Sequence, residues 1–290
     1  MPIPLYPGFI PVSLNLRQQI QNIILNFRTG ISSFAFANIY LFRNKYDFNV
    51  SLLENNLLIT GARDGKTFFS ILGNLPQKEI LTELLKKYDY WKGISEEQAM
   101  LLPSEMRSED RDNFEYLYLR TDLAELPGKD FQKKRNLVNV FLKAYPQEER
   151  KNLPLGKETI KDAMQVLDEW KQGKGEHGDY APAKEALELH EFLGFSGMVF
   201  YAKDVPVSYC QGETLADGKS FAVHFEKAND RCKGIYQYMN QEFAKIIPPS
   251  IYYINREQDL GNIGLRQAKM TYRPAGFIKL FSSSISAKAE

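Results

Sequence analysis

The 290-residue sequence is 43% hydrophobic and 25% charged, with a formal net charge of +1. This is the balance of a soluble globular protein. It excludes nucleic-acid binding over the whole surface but leaves room for a local basic groove. No run approaches the ~20 apolar residues that span a bilayer. The start, MPIPLYPGFIPV, is rich in proline and has no cationic segment, so it does not read as a secretory signal. The expectation is a cytoplasmic protein, at most peripheral to a membrane, of one large domain or two.

In chain order, SLNLRQQIQNIILNF (13–27) predicts a helix, with Leu16, Ile20, Ile23, Ile24 and Phe27 at spacings of three and four behind Ser13. FAFANIYLF (34–42) predicts the start of a strand-rich segment. Residues 50–73 read as hairpins turning at Asn55-Asn56 and Asp64-Gly65. PQKEILTELLKKY (76–88) is a helix with proline in its first turn. A polar stretch, 102–113, sets this α/β unit apart, which predicts domains at 1–110 and 111–290.

In the second part, 114–126 reads as a strand entering a loop. A basic helix follows within 128–151, where Lys and Arg number seven against three acids. Helices are predicted at 157–172 and 182–193, strands at 196–215 and 219–229, a helix at 234–247 and a strand at 250–255. GKGEHG (173–178) has no strand before it and no Ser or Thr after it, and reads as a flexible surface loop. Cys210 and Cys232 read as free thiols in a reducing compartment. His177, His190 and His224 lack ligand spacing, which argues against zinc or any other metal. Two helices, three strands, a helix, a strand and a helix is the order of a GNAT-type acyltransferase domain. The first half has enough α/β content to be a degenerate second copy.

Three segments carry a resemblance. NREQDLGNIGLRQAKMTYRP ends in a pattern of Gly264, Leu265, Arg266, Lys269, Tyr272 and Pro274. LPGKDFQKKRNLVNVF supplies Gly128, Lys129, Arg135 and Asn136. HFEKAN with GIYQYMNQEFA is the third, and FANIYLF and FFSILGNLP agree more weakly. Together they resemble the C-terminal domain family of the phosphatidylglycerol lysyltransferases, over residues 34 to 280. The resemblance implies an α/β (α+β) tandem GNAT-like fold, mixed sheets flanked by helices, shared with Fem-type aminoacyl transferases. It implies transfer of an aminoacyl group from aminoacyl-tRNA to a lipid head group, a peptide or a small amine. Aminoacyl-tRNA would then be a co-substrate and no cofactor is expected. No segment resembles the transmembrane half of the lysyltransferases, so the fold is expected to carry over more directly than the substrate.

Such chemistry needs a stabiliser for a developing oxyanion, a path for a proton and contacts for phosphates. Arg266 and Lys269 lie three apart, so a helix here would put them on one face, where they would stabilise the oxyanion. The alternative is ion pairing with Glu257 or Asp259. His224 and Glu226 lie two apart on a strand, hence on one face; they would serve as general base or orient an amine, or else be polar groups on a half-buried sheet. Lys227 points the other way, towards a salt bridge. Substrate and phosphate contacts are expected from Lys129 and Arg135, with Lys133 and Lys134 beside them, and from Asn255, Arg256 and Asp259; the alternative for the run 129–135 is a solvated face of an exposed helix. An inward, structural Arg135 is the other possibility. DRCKGIYQYM occupies the place of a pyrophosphate loop. Arg231 and Gly234 fit that loop, but Tyr236 replaces its last small residue and would crowd a diphosphate. Coenzyme A is therefore ranked below aminoacyl-tRNA as donor. A CoA-dependent N-acyltransferase and a noncatalytic binding protein are the other functions the sequence allows.

Overall fold

The computed structural model describes residues 2–172 and 178–284. The loop expected at 173–178 lies almost wholly outside them. The first stretch runs β1 (Ile10–Pro11), α1 (Arg17–Phe27), α2 (Phe36–Leu41), α3 (Arg43–Tyr46), β2 (Asn49–Leu53), β3 (Asn56–Arg63) and β4 (Lys66–Leu72). It continues with α4 (Lys78–Lys87), β5 (Tyr90–Ser95), α5 (Glu96–Met100) and β6 (Ser108–Glu109). Next come β7 (Glu115–Leu119), α6 (Arg120–Glu125), α7 (Gln132–Ala144), β8 (Arg150–Pro154), α8 (Ile160–Gln172), α9 (Tyr180–Glu188) and α10 (His190–Leu193). The remainder is β9 (Ser196–Ala202), β10 (Val205–Thr214), β11 (Ser220–Ala228), α11 (Ile235–Ile246), β12 (Tyr253–Asn255), α12 (Ile263–Met270), β13 (Gly276–Ile278) and β14 (Leu280–Ser283).

These elements form two mixed sheets, each lying for the most part in one of two compact units. The first sheet has the order β1-β2-β3-β4-β5-β14-β6 and the second β8-β9-β10-β11-β12-β7-β13. In both, the fourth and fifth strands are parallel, Phe68 beside Tyr90 in one and Ser220 beside Tyr253 in the other. The pairs on either side of them are antiparallel. In both, the helix between the fourth and fifth strands (α4 or α11) makes the crossover that a parallel pair requires. This is the tandem GNAT-like order read from the sequence. The sixth strand of each sheet comes from elsewhere in the chain: β14, near the end, completes the first, and β7 the second. The units are therefore not divided at 110/111. Residues up to Glu115, Gln258–Arg266 and those from Phe277 on make the first; Tyr116–Glu257 and Gln267–Gly276 make the second.

Local chemistry explains most elements. The β3–β4 turn has Asp64 and Gly65 both at positive φ, as a two-residue hairpin requires. The β2–β3 turn falls on Glu54-Asn55, one residue before the position expected, with Leu53 facing Asn56. Ser95 and Gln98 form a reciprocal capping box at α5. The expected strand at 34–42 is instead helix α2, with all six of its residues buried. An apolar run without polar punctuation lacks the periodicity that separates helix from strand. The loop after β7 is helix α6, and the edge strand β8 and the strands β13 and β14 were not foreseen.

In the first unit, Leu81, Leu84 and Leu85 of α4 share a core with Leu58, Phe69 and Trp91; the Phe69 and Trp91 rings stack at 5.5 Å. In the second, α11 buries Ile235, Tyr238, Met239, Phe243 and Ala244. It packs on β9 and β10 and against α6 and α7. Phe141 of α7 stacks on Tyr238 at 4.7 Å. The start of α11 is so close to α7 that a Cβ on Gly234 would lie 2.1 Å from the Leu137 carbonyl oxygen, and Gly234 also has φ +88°.

Gly234→Ala therefore combines left-handed strain with a backbone clash and is expected to cost about 2–4 kcal/mol. Gly65→Ala, where the φ is +77° but nothing lies within 4 Å, should cost only ~1–2 kcal/mol. Urea midpoints of the two variants check the difference.

Candidate functional site

The candidates of the sequence fall on β11, at the end of β12 and just after it, on α12, and around the starts of α7 and α11. In the second unit, several of these converge. Parallel pairing of β11 with β12 runs from Ser220–Tyr253 to Ala222–Asn255 and stops there. Residues 256 and 257 remain bonded to Tyr116 of β7: Arg256 N donates to the Tyr116 carbonyl (3.0 Å) and Tyr116 N to the Glu257 carbonyl (3.2 Å). Where the ladder to β11 ends, side chains take over. Arg256 Nη2 meets Glu226 Oε2 at 2.5 Å. Glu257 Oε1 accepts from His224 Nδ1 at 2.8 Å.

His224 sits at a β-bulge. Gln211 of β10 faces Phe225 and Gly212 faces Val223, so His224 is the extra residue on β11. A bulge re-aims its side chain. The ring lies between two carboxylates, Glu257 on Nδ1 and Glu213 on Nε2 (3.2 Å), and its side chain is fully buried. Ionised carboxylates only accept hydrogen bonds, so both ring nitrogens must carry protons. Burial pulls the imidazolium pKa down, but the hydrogen bonds and charges of Glu213 and Glu257 outweigh it and hold the group up at about 10. This corrects the reading of His224 as a general base. It is a fixed cation between two acids, and Glu213, Glu226 and Glu257 are the groups that remain partly exposed, at 18–19% of their side chains.

Lys269 is the buried residue of α12. Its Nζ donates to the main-chain carbonyls of Arg256 and Glu257, and its own carbonyl accepts from Tyr118 Oη at 2.9 Å. Asn255 is buried, and its Oδ1 accepts from Glu257 N at 2.8 Å, which fixes Glu257 at φ 57°. Lys269 and Asn255 thus both hold the turn that carries Arg256 and Glu257.

The other candidates lie elsewhere. Arg266 is forked onto buried Asp259 of its own unit (Nε 2.9 Å, Nη2 2.7 Å) and meets Asp112 at 2.6 Å. Asp259 also accepts from Arg111 (3.2 Å) and Gly261 N (2.9 Å). Arg266 and Asp259 thus form the ion pair that the sequence left open, a fixed fork rather than an oxyanion stabiliser. Arg135 donates to the Leu126 carbonyl and to Gln132, the inward, structural alternative. Lys129 is exposed. Arg231 is 77% exposed and pairs with Glu169 at 2.8 Å. Gly234 is needed for the approach of α7, and Tyr236 is half-buried behind it. Lys227 is bonded to Asp179 at 2.5 Å over the Trp170 ring. Cys210 and Cys232 are free and buried. The sequence missed Glu213, whose place beside His224 depends on a bulge that no spacing reveals. It also missed the inward position of Lys134.

Because the folded state holds a proton on His224 that the unfolded chain releases, this stabilisation is complete below pH 6.5. It is lost as pH rises towards about 10. His224→Gln should lose about 3–5 kcal/mol, leaving two acids facing an uncharged group. It should also flatten the alkaline decline of the urea midpoint, measured against wild type.

None of the described helices is long and apolar enough to cross a membrane. The crystal structure of a conserved protein from Bacteroides thetaiotaomicron is similar at a TM-score of 0.84 and 28% identity, covering 95% of this chain and 98% of that one. L-PGS from Bacillus licheniformis aligns at a TM-score of 0.64 and 15% identity over 93% and 92% of the two chains, a likeness of fold. An uncharacterized protein of Mycoplasmoides gallisepticum is 21% identical over 171 residues, 57% of this chain and about half (54%) of that protein's length. The family described as phosphatidylglycerol lysyltransferase, C-terminal, matches residues 26–282. With its two mixed sheets flanked by helices, this chain belongs to that family.

Proposed function

We propose that the chain transfers an aminoacyl group from aminoacyl-tRNA to a lipid head group, a peptide or a small amine. The observation that carries this reading is the set of charges where β11 and β12 part: partly exposed Glu213, Glu226 and Glu257 beside the fixed cations His224 and Arg256. In the reaction, the acceptor oxygen or nitrogen attacks the ester carbonyl and forms the new bond as the carbonyl–ribose C–O bond breaks. The acceptor proton leaves to a base and returns to the ribose oxygen. Glu257 fits that base because its backbone is fixed by Asn255 and Lys269 and one of its oxygens by His224. The tRNA itself could relay the proton in its place. Arg256 would offset the negative charge that develops on the carbonyl oxygen. Lys269 is a positioning residue in this scheme.

The start of α11 supports an aminoacyl ester over a CoA thioester. There Tyr236, half-buried, takes the place of the last small residue of a pyrophosphate loop, and its ring would crowd the approach of a diphosphate to the backbone N–H groups.

The test is transfer of label from a mixed pool of charged tRNAs into the total lipid and the small amine and peptide fractions of a bacterial extract. Label is expected in one fraction and should fall roughly a hundredfold or more in Glu257→Gln, the loss of a general base. Equal transfer by Glu257→Gln would remove Glu257 from the mechanism. No transfer from any charged tRNA would overturn the donor, leaving a CoA thioester or a noncatalytic role.

A further inference from the structure

The inward stripe of α7 is Phe131, Lys134, Val138 and Phe141, a lysine in a place that helical periodicity assigns to an apolar residue. Lys134 is only 8% exposed. Its Nζ stands 3.7 Å from the centroid of the Tyr272 ring. Among the described residues, no carboxylate, carbonyl or hydroxyl bonds that ammonium. The guanidinium carbon of Arg256 is 4.8 Å from the same ring. Arg256 Nη2 is on Glu226, while its buried Nη1 and the buried Tyr272 hydroxyl, whose pKa burial raises and Arg256 lowers, make no hydrogen bond of good geometry.

Two largely buried cations thus share one aromatic ring, and the carboxylate of Glu226 pairs with Arg256. A cation–π contact offsets only part of the cost of burying an ion. Burial first, and then the charge of Arg256, hold the Lys134 ammonium down at about 8, with no nearby anion to raise it. A buried donor without a partner and a cation without a counter-charge are what an anion site looks like when its ligand is absent.

We propose that Lys134 and Arg256, gathered on Tyr272, bind the oxyanion of a phosphate group. The fork of Arg256 is already engaged by Glu226, so the planar two-point grip that favours a carboxylate is not available. One donor from each of two cations suits the divergent oxygens of a tetrahedral phosphate. This site shares Arg256 with the proposed transfer site and deepens that reading, but the binding of its anion can be read whether or not group transfer follows.

Thermal unfolding of the full chain tests this, with inorganic phosphate and dimethyl phosphate each compared with sodium chloride at equal ionic strength. Phosphate should raise Tm above the chloride control. Lys134→Met keeps the unbranched stem and should weaken binding roughly tenfold or more, the loss of one charge-assisted hydrogen bond. Lys134→Arg should retain it. In wild type, phosphate should also slow the reaction of Lys134 with a small amine reagent, read by mass spectrometry, which keeps the test open if a variant does not fold. A rise with dimethyl phosphate would assign the site to a diester such as a lipid head group, and a rise with inorganic phosphate alone to a free phosphate or monoester. A rise equal in wild type and Lys134→Met, or none above the chloride control, would overturn the proposal.

Discussion

The candidate site depends on the place where two parallel strands stop pairing. Beyond Asn255 the backbone ladder between β11 and β12 has ended, and charged side chains bridge the gap. Glu226 holds Arg256, and His224 holds Glu257. Bridging by ion pairs leaves acids and cations at an opening in the sheet, where a backbone ladder would have left nothing chemically useful. It also makes the site depend on mutual neutralisation, because a buried charge that loses its partner costs several kcal/mol.

That dependence explains why so many nearby residues act on the main chain. Lys269 and Asn255 bind backbone groups of residues 256 and 257, while Tyr118 binds the carbonyl of Lys269. Glu257, at φ 57°, is in a conformation that a residue with a side chain adopts only when its surroundings enforce it. The closing stretch of the sequence is dense in charge because its ions fix a turn with little apolar surface of its own. Arg266 and Asp259 do similar work in the first unit, with Asp259 fully buried among its donors.

Much of the fold was legible in the sequence. The order of strands and helices from 157 to 255 follows from periodicities of two and three to four, and Asp64-Gly65 announces its hairpin. The origin of each sheet's sixth strand was not legible, because β7 and β14 are short and their partners are distant in sequence. In the site, Arg266 and Lys269 do lie on one helix, the condition under which their spacing gives them one face, but spacing cannot say what a helix face meets. One side chain found a carboxylate and the other two carbonyls. The parity of His224 and Glu226 on β11 was readable, whereas the bulge that turns the imidazole between Glu213 and Glu257 was not. Lys134 did leave a signal. It continues the stripe of Phe131, Val138 and Phe141, and a lysine in that register marks a buried charge rather than a solvated face.

Held as a cation at neutral pH, His224 leaves proton transfer to the carboxylates around it. The direct measurement is the nitrogen-15 NMR spectrum of the His224 side chain at pH 8, with wild type compared against a His224→Gln control to assign the signal. Two protonated ring nitrogens with shifts characteristic of imidazolium are expected. A neutral ring with one bare nitrogen at that pH would contradict this and return His224 to the role of base.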